Sequence, residues 1–352
     1  MPVGEALTMM SSAVPLAAVF GCSGPVLTAA ERDFFRDCDP LGFILFARNI
    51  QTPDQVRRLT GELRDAVGRA DAPVLIDQEG GRVQRLRPPH WPAIPPMARF
   101  GECHARNPQA AFEALDLAIG LIAADCLSLG VDVDCLPVLD VPQPGAHDVI
   151  GDRAFARDAE TVALLAGRAA ARLLAGGVLP VAKHIPGHGR ALVDSHLSLP
   201  RVGTALEELE RIDFAPFHAC RAIPLGMTAH VVYEALDPDH PATTSAKVIG
   251  DVIRGRIGFD GLLMSDDLGM KALGGSFADR TRASIQAGCD IVLHCSGEMA
   301  EMQEVAQAAS PVNGEGQRRW AMALAAKPVQ LLPEPDRDQA LARIADLLGL
   351  RS

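Results

Sequence analysis

Three short segments of this 352-residue chain gather side chains that could do chemistry. The densest runs Lys183-His184-Ile185-Pro186-Gly187-His188-Gly189-Arg190 and continues to Asp194-Ser195-His196. Pro186 and the two glycines forbid a regular helix here, so the spacing predicts a shaped loop that carries three histidines. Asp194 and His196 stand two apart, which in an extended chain puts both side chains on one face and within hydrogen-bonding reach. A carboxylate beside an imidazole orients the ring and favours its protonated form. That suits a group that gives a proton in one step and takes one back in the next. For any one of these histidines taken alone, satisfying nearby backbone groups is an equal alternative.

The second segment is Leu262-Leu263-Met264-Ser265 followed by Asp266 and Asp267. A carboxylate held rigid and partly desolvated at a strand end is what attack on an anomeric carbon requires, and Asp266 is placed for it. The competing role is an N-cap for the next helix, which the spacing assigns to Asp267. The third segment runs from Asp77 to Arg85 through Gln78, Glu79, Gly80 and Gly81. It lacks the G-K-[ST] ending of a phosphate loop, and sugar hydroxyls are better partners for its Asp and Arg. Ion pairing of Asp77 or Glu79 with an arginine remains open as the alternative.

The elements that must position these residues are legible as short apolar runs. Eight strands are predicted: Val14–Phe20, Gly42–Phe46, Val74–Ile76, Val131–Val138, Val178–Ala182, Leu225–Ala229, Gly261–Met264 and Asp290–Leu293. Helical spacing lies between them, as in Asp158 to Ala175, which stops at Gly176-Gly177, and in Val248 to Ile257 behind Thr243-Thr244-Ser245. Continuously apolar strands alternating with helices imply a parallel sheet covered on its outer face, and eight strands close a barrel. An open doubly wound sheet is the rival, weakened by the absence of a Gly-rich dinucleotide fingerprint after the first strand. The expected fold is therefore α/β, a single (β/α)8 TIM barrel over residues 1–352, with a weakly patterned tail from about Gly314. In such barrels chemistry sits at the C-terminal strand ends, where this chain places Asp77, Asp140, Lys183, His184, His230, Asp266 and Asp267. The Pro-rich piece from Pro88 to Pro96 is expected as a long loop at that rim.

Composition excludes several other classes. With 48% hydrophobic and 22% charged residues the chain can bury a large core. A net charge of -11 with no Lys/Arg run argues against nucleic acid and anionic membrane surfaces. The eight cysteines show no C-x-x-C spacing and are expected as free thiols in a reducing cytoplasm. The stretch from Ala13 to Cys22 is not a signal peptide on this reading, because no Lys or Arg precedes it and Glu5 stands where positive charge is required. No apolar run approaches the roughly 18 residues of a membrane helix.

Taken together, the segments resemble glycoside hydrolase family 3, in its bacterial β-N-acetylglucosaminidase branch. The resemblance is carried by Gly42 to Asn49, Asp77 to Arg85, Lys183 to Gly189 with Asp194-Ser195-His196, and Gly258 to Met270. It implies Asp266 as nucleophile, His196 as acid/base with Asp194 as its partner, and Asp77, Arg85, Arg153, Lys183 and His184 as sugar-holding residues. It further implies a metal-free, cofactor-free retaining hydrolase. The implied substrate is a small muropeptide from which such an enzyme would remove terminal β-1,4-linked GlcNAc, as a cytoplasmic monomer in peptidoglycan recycling. Departures are few: Ile185 stands where an aromatic is common, and the tail from Gly314 matches little. Three rivals are set beside this. A zinc hydrolase could gather His184, His188, Asp194, His196 and His230, but the H-x-H expected after the first strand is replaced by Gly21-Cys22-Ser23. A sugar-binding protein on an inactive barrel is disfavoured because Asp194, His196 and Asp266 are all present. A phosphorylase releasing GlcNAc-1-phosphate would use the same residues.

Overall fold

The computed structural model describes residues 14–195 and 197–350. Eight parallel strands close a barrel: β1 Leu16–Gly21, β2 Pro40–Leu45, β3 Val74–Ile76, β4 Val133–Asp134, β5 Leu179–Ile185, β6 Leu225–Thr228, β7 Leu262–Asp267 and β8 Ile291–His294. Neighbours in sequence are neighbours in the barrel, and β1 pairs with β8 to complete it. Each predicted apolar run contributes one strand, so the (β/α)8 reading holds. The continuous apolarity has a simple cause. Along β1, Ala17 and Val19 point into the barrel while Ala18 and Phe20 face the surrounding helices, and all four are buried. Neither face meets water, so the period-two polar signal disappears.

Three boundaries differ from expectation. The run 131–138 pairs regularly only over Val133–Asp134, with one further bridge from Val138 to Lys183, because Pro137 has no N–H to give the ladder. β5 and β7 run further than their apolar residues, to Ile185 and Asp267. Lys183, His184, Asp266 and Asp267 are therefore strand residues, fixed by the ladder and not by loops. Behind Ser245, whose Oγ accepts from Val248 N at 3.1 Å, the helix Val248–Arg256 is wound as a π-helix, with Ile257 N bonding to Val252 O.

The tail is ordered, contrary to its weak pattern. The helix Gly314–Ala325 covers the N-terminal end of the barrel, where Ala323 joins Val312 in the interior core and Trp320 and Leu324 pack against it. The helix Arg337–Leu347 buries Ala340 and Ile344 against the helix Pro108–Ser128, with Arg343 Nε 2.6 Å from Glu113. The helix Ala159–Ala175, capped by Asp158, spans the predicted range. All eight cysteines are free thiols. No helix among the described residues is long and apolar enough to cross a membrane.

Candidate active site

A cavity opens at the C-terminal ends of the strands, and its floor is an ionic network. Asp77, directly after β3, accepts from Lys183 Nζ at 2.9 Å through one oxygen and from Arg85 at 3.0 Å through the other. Lys183 also lies 2.6 Å from Glu79, and Glu79 takes a bidentate pair of 2.8 Å bonds from Arg153. A hairpin of Gln78–Gly80 and Val83–Gln84 makes this arrangement possible. Gln78 Oε1 accepts from the N–H groups of Arg85 and Leu86, which brings Arg85 back beside Asp77. Gly80 has φ +88 and Gly81 φ +55, and a Cβ at Gly81 would stand 2.7 Å from Pro96, so this tight hairpin requires glycine there.

Lys183 and Glu79 are 2% and 1% exposed, and a lone charge so deeply buried would be neutralised. Here the charges compensate one another. Burial raises the Asp77 carboxyl, but Lys183 and Arg85 outweigh it and hold it below its ordinary value. Burial likewise opposes the charged form of Glu79, with Arg153 and Lys183 prevailing. Lys183, lowered by burial, is raised overall by the two carboxylates. Both acids and the lysine are thus ionised at neutral pH. Arg85 Nε is buried without an acceptor among the described residues. The sequence alternative of ion pairing is therefore realised, and it coexists with a place on the cavity wall. Beneath the network, desolvation pushes the buried Asp134 carboxyl well above its ordinary value. One of its oxygens accepts from Gln78 N at 3.0 Å.

A second group surrounds Asp140. Its carboxylate accepts from His184 Nδ1 at 2.7 Å and from His188 N at 2.6 Å, which fixes the His184 ring with Nε2 free to turn elsewhere. Burial raises Asp140, but the neighbouring His184 lowers it overall. His188 Nε2 lies 3.1 Å from Ser195 Oγ, and burial, with His184 next, drives His188 down to about 4. His188 is therefore neutral at pH 7.

Asp266, at the end of β7, lies on the wall of the same cavity as Asp77, Arg85, Arg153, Lys183 and His184. Asp267 does not cap a helix as expected. Its Oδ1 accepts from Gly269 N and from Cys295 N, both at 3.0 Å, and closes the turn after the strand. The next helix, Phe277–Ala287, is capped by Ser276. His230 supports this turn from below, bonding Asp267 O through Nε2 at 3.0 Å.

The expectation for His196 lies outside the described residues. Asp194 is not on the cavity wall, although its neighbour Ser195 is. The carbonyl of Asp194 accepts from Leu197 N at 2.9 Å and Ser198 N at 3.0 Å. The chain thus turns tightly after Asp194 instead of running extended, as Asp and Ser at the start of a segment favour. The loop from Pro88 to Pro96 exists, but it packs behind the hairpin, through Gly81 N to Ile94 O and Gln84 Nε2 to Pro92 O, and contributes no residue to the cavity wall. The sequence reading names Asp140 as a strand-end candidate, His188 as a loop histidine and Glu79 as a candidate ion-pairing residue, but assigns none of them a place in the working site. The signal was present: each is polar, and each lies beside a strand end. Phe46 was also passed over, and its ring carries Arg85 at 5.2 Å on the wall.

A closed parallel barrel gathers carboxylates and cations at its C-terminal mouth, the arrangement of a barrel enzyme with a strand-borne carboxylate facing its cavity. Residues 28–319 match the model of the glycosyl hydrolase family 3 N-terminal domain. The chain is 43% identical over 285 residues to a β-hexosaminidase of Alkalilimnicola ehrlichii, covering 79% of this chain and 80% of that one. It is 40% identical to a β-hexosaminidase of Methylococcus capsulatus, covering 79% and 82%. NagZ from Neisseria gonorrhoeae superposes with a TM-score of 0.83 at 34% identity, covering 96% of this chain and 98% of that one. A longer family 3 β-N-acetylglucosaminidase from Paenibacillus superposes with a TM-score of 0.80 at 28% identity, and this chain spans 66% of its length. The chain belongs to glycoside hydrolase family 3, and it is a glycoside hydrolase of the β-hexosaminidase type.

Proposed function

We propose that this enzyme is a retaining exo-β-N-acetylglucosaminidase that removes non-reducing terminal β-1,4-linked GlcNAc from GlcNAc-anhydroMurNAc-peptides in cytoplasmic cell-wall recycling. The observation that carries the reading is the position of Asp266 on one cavity wall with Asp77, Arg85, Arg153, Lys183 and His184. The ionised floor offers fixed donors and acceptors to sugar hydroxyls. Asp77 retains lone pairs not used by its cations. Support also comes from the gonococcal relative, whose structure has been determined with N-trifluoroacetyl-D-glucosamine.

In the first step a carboxylate oxygen of Asp266 attacks C1 while His196, oriented by Asp194, gives its proton to the departing glycosidic oxygen. In the second, water attacks C1 from the same face as the departed group. His196 takes the water proton, and the Asp266 carboxylate is released. A neutral imidazole left after the first step does not repel an anionic leaving group, which a second carboxylate would do. Treatment with a fluoroglycosyl inactivator, followed by mass spectrometry, should place the label on Asp266, and a label on any peptide lacking it refutes the assignment. Chromogenic β-GlcNAc should be cleaved far better than β-glucoside, with retained configuration and without phosphate. Release of GlcNAc-1-phosphate only when phosphate is present would make the enzyme a phosphorylase.

A further inference from the structure

Arg82, at the tip of the Gln78–Gln84 hairpin, takes no part in the steps above, yet its guanidinium reaches a loop 66 residues further on. Its Nη2 donates to the carbonyls of Asp148 at 2.5 Å, Val149 at 2.9 Å and Ile150 at 3.1 Å, and its Nε lies 3.1 Å from Asp152. Three successive carbonyls thus turn their negative ends to one nitrogen, a demand that a cation meets as it does in the last turn of a helix. The turn behind them is tight. Gly151 has φ +44, and a Cβ there would stand 2.3 Å from Asp148 Oδ1 and 3.2 Å from Arg82 Nη2, so only glycine admits the guanidinium. What this loop carries is part of the site: Val149, Ile150 and Arg153 lie on the cavity wall, as does Val83 beside Arg82, while Arg82 itself does not. The loop's apolar support is thin, a small cluster of Val138, Ile150 and Ala154 with Val149 against it, separate from the main core.

We propose that Arg82 is a positioning residue for substrate binding, clamping the 148–153 loop to the hairpin so that Arg153 and the Val149–Ile150 edge meet the terminal sugar in a preformed pose. The proposal rests on the reading of the preceding section in which Arg153 holds that sugar. The loop is clipped to the hairpin at two depths. Inside, Arg153 holds Glu79 and also donates through Nη1 to Val149 O at 3.1 Å. Outside, Arg82 takes the three carbonyls, and its own carbonyl is fixed by Arg87 Nη2 at 3.0 Å. One attachment leaves a loop free to pivot about it, and a second fixes its orientation. If losing the outer clip reduces the competent pose to about one tenth, apparent affinity falls about tenfold, while the complex that does form reacts at its former rate. Asp266 is carried by β7, which is held by its ladders with β6 and β8 and by the Asp267 turn, so its attack on C1 does not depend on the clamp.

The test measures the inhibition constant of free N-acetylglucosamine, together with KM and kcat on a chromogenic β-GlcNAc, in variants of the exposed Arg82. Arg82→Met keeps the stem and removes the donors, and it should raise the inhibition constant and KM about tenfold while kcat stays within about twofold. The saturating rate at which a fluoroglycosyl inactivator labels the enzyme should also be unchanged, which verifies the fold of the variant. Because one nitrogen meets all three carbonyls, the three N–H groups of Arg82→Lys can replace it, and that variant should return to within about threefold of wild type. Asp152→Asn leaves the carbonyl contacts intact and should stay within about twofold, since an exposed ion pair contributes little. An unchanged inhibition constant in Arg82→Met, a loss in kcat as large as the rise in KM, or a lysine variant no better than the methionine one overturns the clamp. Arg153→Lys, which keeps a charge for Glu79, separates the two ideas. If it weakens N-acetylglucosamine binding and Arg82→Met does not, the clamp alone fails. If Arg153→Lys leaves binding unchanged, the sugar-holding assignment falls and the clamp falls with it.

Discussion

Replacing Lys183 by methionine removes a positive charge from the floor of the cavity while nearly conserving volume. Lys183 lies 2.9 Å from Asp77 and 2.6 Å from Glu79 and is 2% exposed. Breaking a buried ion pair by deleting one partner costs about 3–5 kcal/mol, because the remaining charge is left desolvated. Each carboxylate keeps one guanidinium, Arg85 on Asp77 and Arg153 on Glu79, which favours the lower end, about 3 kcal/mol. An unfolding entropy of about 2.1 cal/mol/K per residue makes that a fall in Tm of roughly 4 °C for a chain of this length. The pH dependence carries the stronger test. In the wild type both carboxyls are held below their ordinary values, so their contribution is present at neutral pH and is lost as the pH falls through the folded values. Without Lys183 those values rise, and protonation then relieves the folded state. The deficit of the variant should therefore be largest near pH 7 and shrink towards pH 4. Denaturant midpoints at pH 4.5 and 7.5 measure it. Adding Glu79→Gln to Lys183→Met should cost less than Glu79→Gln does alone. A Tm change under about 1 °C, or a deficit independent of pH, would falsify the account of the network.

His188, held at about 4 against an ordinary 6.5 chiefly by burial, binds its proton less well in the folded state than in the unfolded one. Stability should climb from pH 4 to 6.5 by about 3 kcal/mol and level off above, and His188→Gln should flatten that rise in denaturant titrations; an unchanged slope counts against it. Asp267→Asn keeps an oxygen able to accept from Gly269 and Cys295, so it should lower stability by about 1–2 kcal/mol and retain turnover on chromogenic β-GlcNAc, whereas Asp266→Asn should abolish it. Equal loss in the two variants would contradict the separation of roles. Among the described residues no three His, Cys, Asp or Glu side chains converge as a metal set, and activity should survive exhaustive chelation. Loss with chelator, restored by zinc, would overturn the mechanism.

The barrel was legible because its strands are buried on both faces, so each appears as an unbroken apolar run that needs no alternation to be found. The site was legible for a related reason: Asp77, Lys183 and Asp266 interrupt or end such runs, and a charge at a strand end has few structural explanations. The partners of Glu79 and Asp140 escaped because they are distant in sequence, Arg153 and His184, which spacing does not reveal. The turn after Asp194 was read as extended since side-chain alternation was counted without the local turn preference of Asp and Ser. The final helices escaped because the buried side of Gly314–Ala325 rests on Ala323 and on Trp320 and Leu324, too few large side chains to show a period.

The pairing of β1 with β8 also bears on how the chain is made. Phe20 lies opposite His294, and Val312 N bonds back to Pro15 O, so the first strand waits for partners encoded near the other end. At about 5–20 residues per second, synthesis leaves that edge open for on the order of tens of seconds. An open, fully apolar strand edge is a template for wrong pairing, and the long sequence separation makes correct closure slow. Chains that terminate early, before Ile291, carry two such edges and no means of covering either. In a cell, such fragments are substrates for chaperones and proteases.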